Sequence, residues 1–171
     1  MIAIAGFSVT LPFLPYYVQE LGISGVDQVA FWAGLITSAQ ATTMALVAPI
    51  WGSLADRYGR RPFILLALGS FALANVGFLL ASSVTGFTII RAAEGALAAG
   101  LYPAAMGIVA DVAPEEERAR WIGIVMAGYG AGFVLGPVLG GFLYDWLGYA
   151  APFIASAVMA TIAFIAASIL V

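Results

Sequence analysis

Arg91 and Glu94 stand three residues apart inside a long apolar run, which places them on one face of a helix. A charge in mid-bilayer costs about 2.5–3.5 kcal/mol on insertion scales, so each needs a partner or water. Side by side they neutralise one another; moved apart, Glu94 can take up and release a proton. Two readings stay open at this point. Arg91 can snorkel along its own stem to the outer interface, or the pair can line a water-filled cavity. Gly95, Ala98, Ala99 and Gly100 favour the cavity, because small residues let neighbouring helices come close. A second charge cluster, Asp56, Arg57, Arg60 and Arg61, falls between Gly52 and Arg61 in a chain only 9% charged. A third runs from Asp111 through Pro114, Glu115, Glu116 and Glu117 to Arg118 and Arg120, where the acids suit the start of a helix. Asp111 is a candidate partner for Arg60.

The residue inventory removes most other chemistry. The chain has no His and no Cys, and its six basic residues are all Arg. Histidine catalysis, His/Cys metal sites, disulfides and Schiff-base lysines are therefore out of reach. Asp145, beside Tyr144, is the one candidate for an intramembrane aspartyl protease, but that reaction needs two carboxylates sharing a proton, and no second acid lies at matching depth. No catalytic residue and no metal ligand is assigned. A net charge of −3 with so few bases does not fit nucleic acid, which calls for clustered cations.

The elements that must hold these residues follow from composition. At 63% hydrophobic, with a mean hydropathy of +1.05, the chain lies far above the roughly 45–50% apolar of soluble domains. About 20 apolar residues cross a bilayer, and six runs qualify: 2–19, 29–53, 62–81, 85–109, 121–143 and 151–171. The first lacks a basic leader and an A-x-A cleavage site, so it reads as a membrane helix rather than a signal peptide, clipped at its start. The connections are short and leave no room for a soluble domain, so residues 1–171 form a single membrane domain. Arg57, Arg60 and Arg61 lie between runs 2 and 3, and Arg118 and Arg120 between runs 4 and 5; the other three connections carry no base. Positive loops stay in the cytoplasm, which puts both chain ends there as well. Run 1 holds Pro12 and Pro15 among Phe13, Tyr16 and Tyr17, aromatics that suit an interfacial belt or a substrate pocket. Run 2 carries Thr37, Ser38, Gln40, Thr42 and Thr43, a patch that could face an aqueous pathway or bond across helices.

The spacing Gly52-x-Leu54-Ala55-Asp56-Arg57-x-Gly59-Arg60-Arg61 resembles the signature loop between helices 2 and 3 of major facilitator superfamily transporters. The stretch Arg91-x-x-Glu94-Gly95 resembles the family's R-x-x-Q-G pattern on helix 4, with Glu in place of Gln. Gly132-x-x-x-Gly136-Pro137-x-x-Gly140-Gly141 resembles the helix 5 signature of its antiporter branch. These resemblances cover residues 52–141 and imply an all-α membrane protein. Its six transmembrane helices would form one half of a twelve-helix fold, each half a 3+3 inverted repeat. They imply that Asp56 latches an inner gate with Asp111 facing Arg60, that Arg91 and Glu94 couple protons, and that the glycines of helix 5 belong to an exporter. Spans 3 and 6 would face lipid.

The implied function is proton-coupled efflux of small drug-like molecules by alternating access. A proton gradient would supply the energy, with no cofactor. The partners are a small-molecule substrate, protons, the lipid bilayer and a C-terminal six-helix half beyond this chain, which would be the N-terminal half. The location is the inner or plasma membrane, crossed several times. The alternative is a six-span protein working as a homodimeric transporter or as a non-transporting membrane partner.

Overall fold

The computed structural model describes residues 2–170, with side chains from residue 4 onward. Among them every regular element is helical: α1 Ile2–Val9, a 3-10 turn Leu11–Phe13, α2 Leu14–Glu20, α3 Val26–Tyr58, α4 Arg61–Leu80, α5 Val84–Ala98, α6 Leu101–Val112, a 3-10 turn Glu115–Glu117, α7 Arg118–Leu147 and α8 Ala150–Leu170. Five stretches are long and apolar enough to cross a membrane: α3, α4, α5 with α6, Glu115–Leu147, and α8.

Three expectations are corrected. The charged stretch between runs 2 and 3 is mostly helix. α3 continues to Tyr58 and stops only at Gly59, whose φ of 90° is costly for any other residue. Its 33 residues give a rod of about 50 Å against roughly 30 Å of hydrocarbon, so Asp56 and Arg57 ride on the protruding last turn. The run at 2–19 is not one helix; Pro12 and Pro15 divide it into α1, the turn and α2, since proline withholds a backbone donor. The run at 85–109 is also broken, at Ala99–Gly100. A Cβ on Gly100 would lie 3.3 Å from the Cβ atoms of Trp51 and Phe63. Half of α4's most apolar stretch is buried, against 11% for α3 and for α7, because α4 packs on α8 and α5. α3 and α7 leave apolar faces uncovered, including Phe31, Leu46, Val134, Val138 and Phe142, as do α8 at Ile154, Val158 and Ile162 and the outer side of α4 at Leu73 and Leu80.

The strongest packing pairs are α4 with α8, α3 with α5, and α1 with α7. The last is built by glycine. A Cβ on Gly132 would lie 2.9 Å from the Ala5 nitrogen; on Gly136 it would overlap Ser8 Oγ, and on Gly140 the Val9 carbonyl. Spacing of four thus makes one flat face against which α1 lies, and Ser8 Oγ donates to the Gly132 carbonyl at 2.8 Å. Gly141 is off this face, 3.5 Å from the Phe13 ring. Ser83 caps α5, its Oγ accepting from the Gly86 amide at 3.1 Å.

An internal repetition joins the two halves of the chain. Pro49-x2-Gly52-x3-Asp56-x2-Gly59-x2-Pro62-Phe63 at the α3–α4 junction returns as Pro137-x2-Gly140-x4-Asp145-x2-Gly148-x3-Pro152-Phe153 at the α7–α8 junction. Both junctions turn on a glycine of positive φ, 90° at Gly59 and 82° at Gly148. The two broken stretches, α1–α2 and α5–α6, open the two halves. Exchanging the first three stretches for the last three carries the α1–α7 pair onto α5–α3 and α4–α8 onto itself.

Candidate functional site

Arg91 does not snorkel. It and Glu94 are 1% and 2% exposed, and Arg91 Nη1 donates to Glu94 Oε2 at 2.8 Å. The guanidinium also donates through Nη2 to Thr10 Oγ1 at 3.2 Å, next to the break in α1–α2, and stands 4.7 Å over the Phe78 ring. Glu94 Oε2 receives a second donor from α3, Gln40 Nε2 at 3.1 Å. Glu94 Oε1 and Arg91 Nε have no hydrogen-bonding partner among the described residues. The pair is thus buried with one carboxylate oxygen and one guanidinium nitrogen left over, and a buried unpartnered polar atom carries an unrecovered desolvation cost.

Gly95 explains how Gln40 gets so near. A Cβ there would meet the Gln40 carbonyl and lie 2.7 Å from Thr43 Oγ1. Thr43 Oγ1 in turn donates to the Ala92 carbonyl at 2.7 Å. Of the polar patch on α3, Gln40 and Thr43 therefore bond across to α5. Thr37 bonds its own helix, and Ser38 and Thr42 are exposed.

Gln40 also borders a cleft of about 190 Å³, with Ile4 and Phe7 of α1, Met44 of α3, Phe71 of α4, Gly95 and Ala98 of α5, and Tyr129 and Phe133 of α7. Its rings form a connected cluster: Phe7 lies 5.8 Å from Phe71 and 6.2 Å from Phe133, and Tyr129 and Phe133 stack at 6.4 Å. The i, i+4 pair Tyr129–Phe133 was visible in the sequence among the glycines of α7, but nothing local tied it to Gln40. The aromatics singled out in the first run lie elsewhere. Tyr17 is buried in the core with Phe78, Phe87 and Phe153, Tyr16 is 52% exposed, and Phe13 stacks on Tyr144 at 5.5 Å.

At the arginine-bearing end, Arg60 bridges two acids: Nη1 to Asp56 Oδ1 at 2.7 Å and Nε to Asp111 Oδ2 at 3.1 Å. Gly107, unremarked in the sequence, forms the slot, since a Cβ there would overlap the Arg60 guanidinium. Arg61 Nη2 donates to the Ser168 carbonyl at 2.7 Å and so ties α4 to the end of α8. Arg57 contacts its neighbour Tyr58 and is exposed, and Gly52 has open space where a Cβ would project. Arg118 Nη2 reaches the Ala110 carbonyl at 3.3 Å. Pro137 lies within α7, between the buried Gly136 and Gly140.

Comparison with known proteins gives the family. The family model described as Major Facilitator Superfamily matches residues 1–171. The chain is 36% identical over 144 residues to the multi-drug resistance efflux pump PmrA of Streptococcus pneumoniae, covering 84% of this chain and 36% of that protein. It is 37% identical over 141 residues to the multidrug resistance protein MdtG of Yersinia enterocolitica, covering 82% and 34%. With MdtG of Salmonella paratyphi A the figures are 35% over 161 residues, 94% and 40%. The chain thus spans between 34% and 40% of the length of these relatives. Its fold matches the crystal structure of the human organic anion transporter MFSD10 (TETRAN) with a TM-score of 0.77 at 23% identity, over 96% of this chain and 43% of that one. The chain is a multi-pass membrane protein that belongs to the Major Facilitator Superfamily, a family of transporters and not of enzymes.

Proposed function

We propose that this chain is the N-terminal six-helix half of a twelve-helix transporter that exports small drug-like molecules in exchange for protons. The observation that carries the reading is the buried Arg91–Glu94 pair bonded to Gln40 on the wall of an aromatic cleft. Proton carrier and substrate wall then share one side chain. At about 190 Å³ the cleft is smaller than the roughly 300–1,000 Å³ of a drug-sized site, which fits a half-site completed by a second set of helices. The uncovered faces of α3 and α7 are where that second set would pack. The relatives' names as multidrug efflux proteins support export, and the repeated junction motif supports a 3+3 inverted repeat.

In this mechanism the halves rock about the midplane, and the Asp56–Arg60–Asp111 cluster closes the inner end. The pairs at that end are exposed and worth about 0–1 kcal/mol each, enough to bias two states without locking them. Asp56→Asn in the full-length transporter is therefore expected to abolish efflux while the protein inserts and folds at wild-type levels. Normal efflux from the variant, or loss of the protein, contradicts a gating role.

The arginine-bearing end is assigned to the cytoplasm, with both chain ends there, in the inner or plasma membrane. Arg57, Arg60, Arg61, Arg118 and Arg120 lie at that end, and only the acids Glu20, Asp27 and Asp145 at the other. Residues 1–171 contain no Cys, which makes single-cysteine labelling of this half direct. Cysteines at Ser53 or Ala119 should react with impermeant reagents only from inside, and those at Gly25 or Gly148 only from outside. The reverse pattern overturns the orientation.

A further inference from the structure

Gln40 faces two ways. Its Nε2 donates to Glu94 Oε2 at 3.1 Å, the same oxygen that takes Arg91 Nη1, while the side chain lines the aromatic cleft. Among the described residues no donor reaches its carbonyl oxygen, and that oxygen is not among the fully buried unpartnered atoms. The amide therefore gives one N–H to the acid and keeps its carbonyl oxygen unpaired, on a residue that borders a cleft walled by Phe7, Phe71, Tyr129 and Phe133.

A carboxylate only accepts hydrogen bonds, whereas a carboxylic acid also donates. When Glu94 takes a proton on Oε2, the oxygen that meets Gln40, a half-turn of the Gln40 amide lets its carbonyl accept from the new O–H. The turn needs almost no space, because the two ends of the amide are nearly equal in size. It moves the NH2 group to where the carbonyl was. We propose that Gln40 is an amide switch that converts protonation of Glu94 into a reversal of polarity at the cleft wall. The cleft then accepts from N–H-bearing ligands when Glu94 is ionised and rejects them when it is protonated.

This deepens the exchange reading and rests on it. The sign is the one exchange requires, since a proton on Glu94 and an N–H donor in the cleft exclude each other. The linkage is reciprocal, so binding of such a ligand also drives the proton off. The substrate class follows: compounds that present a hydrogen-bond donor next to an apolar or aromatic body, of which primary ammonium compounds are the simplest. Charge alone would not be sensed through the switch.

The electrostatic surroundings leave Glu94 free to act this way. Arg91, on its own helix, is the charged group that faces it. α3 and α4 carry no titratable side chain between their ends; Gln40 of α3 bonds Glu94, and the Ser70 hydroxyl of α4 donates to its own helix at the Ala67 carbonyl. From α1 and α2, Thr10 bonds Arg91 and Tyr17 lies near Arg91 rather than Glu94. Gly95 is what keeps Gln40 close enough to respond, because any Cβ there would meet the Gln40 backbone.

The test compares phenethylammonium with phenethyltrimethylammonium, which keeps the charge and the ring but has no donor. Binding of each to the full-length transporter is measured across the titration of Glu94, in the wild type and in Gln40→Met and Glu94→Gln. In the wild type, phenethylammonium should lose about tenfold in affinity on acidification, the worth of one hydrogen bond, and the trimethyl compound much less. Gln40→Met should bring the two ligands onto the same pH profile. Parallel wild-type profiles overturn the switch even if neither variant folds, as does failure of both ligands to bind. If Glu94→Gln flattens both profiles while Gln40→Met leaves the contrast between ligands intact, the switch is wrong and the proton role of Glu94 stands. If binding of both ligands is independent of pH in the wild type, proton exchange itself fails.

Discussion

Arg91→Ala should destabilise the protein by about 3–5 kcal/mol, the usual cost of removing one partner from a buried ion pair. The arginine is 1% exposed and gives Glu94 a 2.8 Å bond, so its loss strands an acid in the interior with only Gln40 as donor. It also removes the guanidinium from Thr10 and from the Phe78 ring, loosening α1 and α4 from α5. Adding Glu94→Gln to Arg91→Ala should recover most of the loss, because the double variant buries no charge. Thermal unfolding of the single and double variants in detergent measures the coupling. Additive losses, or a single variant as stable as the wild type, would show that the two charges do not depend on each other.

Gly136→Leu should prevent folding. The glycine leaves no gap for a Cβ, which would overlap Ser8 Oγ and sit 2.8 Å from the Ala5 carbonyl. A clash with backbone on the facing helix cannot be relieved by a rotamer, so α1 and α7 must separate along the whole Gly132–Gly136–Gly140 face. Overpacking ordinarily costs about 1–3 kcal/mol, and a leucine here adds four carbons to a contact with no slack. Gly141→Ala is the control, since its Cβ would meet the Phe13 ring at an ordinary 3.5 Å. Monodisperse yield by size exclusion should collapse for the first variant and hold for the second. Equal yields would mean that the α1–α7 contact is not the close one described.

Much of this was legible in the sequence because the bilayer simplifies the code. Runs of apolar residues mark helices when nothing else can cross. The breaks were harder to place: proline at 12 and 15 marks the first, and the fourth run breaks at Ala99–Gly100, four residues before Pro103, whose missing N–H leaves the Ala99 carbonyl without its helical donor. Arg91 and Glu94 were evident from their cost in lipid. In the sequence Gln40 is one polar residue among five on α3, since its bond to Glu94 spans 54 positions. Gly107 carried no signal at all, as its role depends on the path of Arg60. The repeated Pro–Gly–Asp–Gly–Pro–Phe junction was present in the letters, yet single-residue insertions on either side of Asp145-x2-Gly148 hide it from a fixed-spacing comparison.

The central claim is that Glu94 carries the exchanged proton. Efflux of a fluorescent substrate from proteoliposomes holding the full-length transporter, measured against pH for wild type and Glu94→Gln, tests it most directly. The expected result is a steep pH dependence in the wild type and a flat profile in Glu94→Gln with substrate binding retained. A wild-type pH profile in Glu94→Gln would reduce the Arg91–Glu94 pair to a structural ion pair and place the proton elsewhere.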